Sequence, residues 1–130
     1  MASIWEAARE TVAEIETVIR GLGYEPCCVT ATPEIARVSF DAGRYSHGIQ
    51  RAFGAWEALA GFREPRVLGS LEEAGAWLAQ VMADGMIVEE APEGGWRAQR
   101  LGYGQTEVYP APTREAAIAA ARTAIAQDTP

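Results

Sequence analysis

The sequence predicts an α+β fold, four helices with two short antiparallel β-hairpins. Two capping boxes, Ser3/Glu6 and Ser70/Glu73, each open a run with apolar residues at helical spacing. Between and after them lie short apolar or alternating runs bounded by Pro and Gly, the marks of strands and turns. The chain has 130 residues, enough for one domain with its own core, so a single α+β domain over 1–130 is expected.

Each element follows from its residues. Ile4, Ala8, Val12, Ile15, Ile19 and Leu22 form one stripe of a helix over 4–20, stopped by Gly21 and Gly23. Pro26 to Ala31 and Ile35 to Phe40 read as two strands joined by a turn at Thr32-Pro33-Glu34. Ile49, Phe53, Trp56 and Leu59 recur at helical spacing and predict a second helix over 47–60, closed by Gly61. Gly48 and Gly54 each cost that helix about 1 kcal/mol. Arg66-Val67-Leu68 fits a small strand. Leu71, Ala74, Trp77, Leu78, Val81 and Met82 predict a third helix over 71–84, with Gly85 as its left-handed cap. Met86-Ile87-Val88 and Trp96–Leu101 form the second hairpin across a turn at 91–95, and Glu107-Val108-Tyr109 a short strand. Pro110 and Pro112 break the chain before Thr113 caps a last helix over 114–127. Both halves thus read as helix, hairpin, helix. An α-β-β-α duplication fits that order, although the halves match poorly residue by residue.

Net charge is −7, and all eleven basic residues are Arg. Residues 35–66 are net basic; the two flanking stretches are net acidic. An acidic surface disfavours direct nucleic-acid binding, which draws its affinity from neutralised phosphates. It suits a protein partner with a basic surface. No run approaches the roughly 18 apolar residues of a membrane span. The N-terminus lacks a basic stretch followed by an apolar one, so a cytoplasmic location and no membrane partner are expected.

Several chemistries find no footing. One histidine and one Cys-Cys pair supply neither the count nor the spacing of a zinc site, and no loop has calcium-loop alternation. Neither a metal nor a cofactor is expected. Cys27 or Cys28 with His47 is the one nucleophile–base pair available, and no Gly-x-Ser-x-Gly elbow exists. Gly102-Tyr103-Gly104 lacks the rest of a phosphate-binding fingerprint and reads as a turn. Adjacent strand residues point to opposite faces, so Cys27 and Cys28 are expected as free thiols on a mostly buried strand. No catalytic residue is assigned, and the protein is expected not to be an enzyme.

Two places remain. Glu6, Glu10 and Glu14 follow i, i+4 spacing on the first helix, a ridge able to meet a basic groove; its bland reading is a solvated face. Glu89, Glu90 and Glu93 form a second acidic cluster beside a hairpin bearing Trp96 and Tyr103, residue types enriched at interfaces. These eight residues are the candidate partner-binding set. The second place is the stretch 43–51. There Arg44, Tyr45, His47 and Arg51 join a predicted strand to a predicted helix and would hold an anion or small ligand. The bland reading there is a polar loop answering the acidic remainder.

The leading expectation is therefore a non-enzymatic acidic protein-binding module. Its concrete form is a phage or mobile-element inhibitor that blocks a basic nucleic-acid-binding groove of a defence complex, as anti-CRISPR proteins do. The alternative is a small anion- or ligand-binding domain, or a Cys/His enzyme, built on 43–51. A homodimer through the Trp/Tyr hairpin is a third expectation.

Overall fold

The computed structural model describes residues 3–61, 64–102 and 107–128. Among them are three helices and eight strands in two antiparallel sheets. The chain divides into two compact units, Met1–Ala79 and Gln80–Pro130, with the division inside a helix.

The first unit opens with α1 (Ile4–Gly21), capped as predicted: the Ser3 hydroxyl accepts from the Glu6 amide at 3.1 Å. Five strands follow as a meander: β1 (Cys28–Ala31), β2 (Ile35–Ala42), β3 (Tyr45–Ala52), β4 (Ala55–Ala60) and β5 (Arg66–Leu68). Cross-strand register sorts their side chains. Val38 lies opposite Ile49, which lies opposite Ala58; Phe40 lies opposite His47, which lies opposite Ala60. All six are buried, together with Ala8, Val12, Ile15 and Ile19 of α1. Helix α2 (Leu71–Asp84) starts in this unit with its predicted box intact: the Glu73 amide donates to the Ser70 hydroxyl, and the Glu73 carboxylate accepts from the Gly69 amide. Its Gly75 comes close to Val18 of α1, where an added Cβ would lie 2.7 Å from a Val18 methyl.

The other face of this sheet carries a polar ladder. Arg37 Nε donates to Gln50 Oε1 at 2.7 Å, and Gln50 Nε2 donates to Glu57 Oε1 at 2.6 Å. The three residues sit in one row across β2, β3 and β4.

The second unit holds β6 (Met86–Glu90), β7 (Trp96–Arg100), β8 (Val108–Ala111) and α3 (Arg114–Asp128). Its buried cluster is Met86, Ala98, Ala117 and Ala121, with Val88, Trp96, Tyr109 and Ile118 packed against it. Arg114 pairs with Asp84, which also accepts from Gln80. Pro110, expected to break the chain, lies within β8 opposite Arg97. An edge strand tolerates it because a proline there gives up only an outward N–H.

The four-helix expectation is thus corrected. The predicted helix over 47–60 is the β3–β4 hairpin, and the first half is a five-stranded sheet, so the two halves are not matching α-β-β-α units. Turn chemistry overrides the helical spacing. Phe53 (φ 50°) and Gly54 (φ 83°) are both left-handed, the signature of a two-residue type I′ hairpin turn. Gly43 (φ 63°) similarly opens the two-residue turn between β2 and β3. Gly48, awkward in a helix, has a reason in the sheet: an added Cβ would lie 2.8 Å from the Val38 carbonyl oxygen. No helix of the described residues is long and apolar enough to cross a membrane.

Candidate functional site

Two hairpin turns and the first turns of α1 meet at one end of the five-stranded sheet. Thr32 frames the β1–β2 turn: its hydroxyl accepts from the Ile35 amide at 3.0 Å, and its own amide donates to the Ile35 carbonyl. The Phe53 amide donates to the Glu34 carbonyl at 2.9 Å, tying the β3–β4 turn to the β1–β2 turn. Between these turns and α1 lies a groove of about 260 Å³. Its walls include Ile4, Ala7 and Thr11 from the helix and Pro33, Ala36 and Gly54 from the sheet.

Ile4 lines this groove, and two further exposed apolar side chains are its neighbours in sequence, Trp5 next to Ile4 and Phe53 next to the lining Gly54. Ile4 is 65 % exposed and Trp5 51 %, while Phe53, beside Gly54, is 80 % exposed. Phe53 also holds a left-handed backbone, which costs a non-glycine residue about 1–2 kcal/mol. A strained aromatic that buries little of its ring does not repay that cost by packing within the fold. Charge surrounds the groove unevenly. Ala7 and Thr11 are each followed three residues later by Glu10 and Glu14, so the exposed Glu6/Glu10/Glu14 row runs directly beside the helical wall. Glu34 lines the groove as well. Arg51 is the basic group there, and its guanidinium rests 5.6 Å from the Trp56 ring.

The other predicted partner-binding residues fall in the second unit and are not gathered. Glu89 and Glu90 are adjacent on β6 and point to opposite faces. Glu89 pairs with Arg97 at 3.8 Å. Glu93 is exposed in the turn, and Trp96 packs on the cluster beneath α3 instead of standing free. Tyr103 lies outside the described residues.

The predicted ligand-binding set is drawn out along one strand. Arg44 is in the turn before β3 and Arg51 is near the strand's far end. Seven steps along the chain separate them, up to roughly 23 Å. No strand-to-helix loop exists at 43–48, and the Ser46 hydroxyl donates to Asp41 at 2.6 Å across the β2–β3 pair. Tyr45 is half-buried. His47 is 3 % exposed; its Nδ1 accepts from the Gly61 amide at 2.9 Å, and its ring lies tilted by 43° against Phe40, 5.7 Å between centroids. Burial pushes its pKa below the ordinary 6.5, against a smaller upward pull from Asp41, so it is a neutral core side chain at pH 7.

The cysteines are free thiols, as expected, but not on a buried strand. Both are exposed, and their sulfurs lie 3.6 Å apart. Cys27 precedes β1, held by its amide donating to the Ser39 carbonyl. Cys28 shares a row with Ser39 and Gly48, on the face opposite His47. A Cys–His dyad is therefore not assembled. The Cys27 thiol is held protonated by its contact with Cys28 and by desolvation, the reverse of an activated nucleophile. No cluster of three or more His, Cys, Asp or Glu able to hold a metal ion occurs among the described residues.

Comparisons with protein-family models, curated proteins and solved structures return no match for this chain.

Proposed function

We propose that this protein is a non-enzymatic binding module that docks a basic, apolar-anchored segment of a protein partner in the groove beside α1. One observation carries the reading. An 80 % exposed, backbone-strained Phe53 directly precedes Gly54 of a part-apolar groove whose helical wall is flanked by an acidic row. An aliphatic or aromatic anchor fills such a groove, and Arg or Lys beside it answers Glu10, Glu14 and Glu34. Blocking a basic nucleic-acid-binding groove, as anti-CRISPR proteins do, is the special case in which that segment belongs to a defence complex.

The test uses synthetic helical peptides with a Leu/Phe stripe, flanked by Arg in one series and by Glu in the other. Binding is followed by fluorescence anisotropy. The Arg series binds, and its affinity falls as salt shortens the screening length from about 10 Å at 0.1 M. Glu10→Arg combined with Glu14→Arg weakens it at low salt. Phe53→Gly abolishes binding while stabilising the fold by about 1 kcal/mol, because glycine accepts the left-handed turn. Equal binding of both series, or an unchanged affinity in Phe53→Gly, rejects the proposal. Tight direct binding of duplex DNA by the protein rejects it as well.

A further inference from the structure

We infer that Cys27 and Cys28 form a two-sulfur clamp for a trivalent arsenical. The two thiols are adjacent, both exposed, and 3.6 Å apart. The Cys27 amide is fixed to the Ser39 carbonyl at 2.8 Å, and Cys28 begins a strand paired with β2. The backbone that presents the sulfurs is therefore anchored to the sheet.

Geometry selects the ligand. Taking ~2.3 Å as a metal–thiolate bond, a centre holding both sulfurs in line needs them about 4.6 Å apart. A centre holding them at a near-tetrahedral angle needs about 3.8 Å. The observed 3.6 Å fits the bent case. A tetrahedral metal such as Zn²⁺ would take two further ligands, and no group of three or more His, Cys, Asp or Glu fit for a metal occurs among the described residues. A pyramidal trivalent centre needs one further position, which its own organic substituent or hydroxyl supplies. Soft sulfur ligands prefer a soft centre of this kind.

The chemistry balances without a redox step. An arsonous acid, R–As(OH)₂, exchanges two As–O bonds for two As–S bonds. Each hydroxyl leaves as water with the proton of one thiol, and arsenic stays trivalent.

The experiment uses the full, reduced chain and phenylarsonous acid as probe, read by intact mass. The expected result is one phenylarsenic per chain, with two waters lost. It survives excess 2-mercaptoethanol and is released by the dithiol 2,3-dimercaptopropanol. Cys27→Ser and Cys28→Ser each lose the adduct under the same competition. Both positions are exposed, and circular dichroism confirms that each variant folds. Retention by either single variant, or failure of the unmodified chain to hold the probe against the monothiol, overturns the inference. A parallel titration with Zn²⁺ alone tests the geometry. One Zn²⁺ shared by two chains would show a four-sulfur site and overturn the trivalent assignment.

Discussion

The two units solve the same problem with different materials. In the first, large side chains make up the core: Ile15, Val38, Phe40, Ile49 and Leu78 are all fully buried. In the second, three of the four residues of the buried cluster are Ala98, Ala117 and Ala121, and Met86 is the one large member. Small residues let α3 lie close to its sheet, so that cluster gains less from each buried side chain and depends more on close approach. The first unit also buries polar side chains, His47 and Gln50, whereas the described residues of the second bury none. One core is therefore sensitive to lost volume and to pH, the other to added volume.

The largest expected effect breaks the first core. Ile15→Ala removes a fully buried side chain facing β2 and should cost about 2–5 kcal/mol, read as a lower urea midpoint. Trp56 and Trp77 report on that unit, and Trp96 on the other. A loss seen at Trp56 and Trp77 before Trp96 would mark separate unfolding of the units. Next comes the opposite substitution in the second core. Ala121→Leu should cost about 1–3 kcal/mol by overpacking, where Ile15→Leu, close to volume-conserving, costs less. A stabilising Ala121→Leu would mean that α3 has unfilled space beneath it.

The smallest effect concerns pH. Burial lowers the His47 pKa, so above about pH 6.5 the side chain is neutral in both folded and unfolded chains. Below that, the unfolded chain takes up a proton that the folded chain refuses. Stability falls with a slope of at most ~1.4 kcal/mol per pH unit, and flattens below the folded pKa. Protonation also ends the acceptor role of Nδ1 toward the Gly61 amide. His47→Asn keeps an acceptor near that position and should flatten the stability profile between pH 5 and 7. An unchanged slope in that variant would assign the pH dependence to the carboxylates.

The helices were legible because their ends are written in adjacent residues. Ser3/Glu6, Ser70/Glu73 and Thr113 lie at the observed starts, and the predicted spans agree with α1, α2 and α3 to within a residue. The β3–β4 hairpin was not, because Ile49, Phe53, Trp56 and Leu59 satisfy helical spacing while lying on two strands and a turn. A signal was present: Pro33, Gly43 and Gly54 recur at ten and eleven residues, the turn spacing of a meander. The acidic row on α1 was legible as a local i, i+4 pattern. The groove beside it was not, since its walls come from residues 4–11, 32–36 and 51–54, which only the sheet register brings together. Glu89 and Glu90 looked clustered because the sequence reading ended their strand at Val88; extended to Glu90, alternation separates them.

The ladder of Arg37, Gln50 and Glu57 bears on how the meander finds its alignment. A strand shifted by one residue would turn Gln50 into the aliphatic layer beneath α1 and leave the Arg37 guanidinium and the Glu57 carboxylate without their shared amide. A misaligned β2–β3 or β3–β4 pair is thus penalised twice, once by an apolar residue expelled and once by polar partners stranded. The three side chains add a polar penalty to every one-residue slip and favour the observed register over its neighbours.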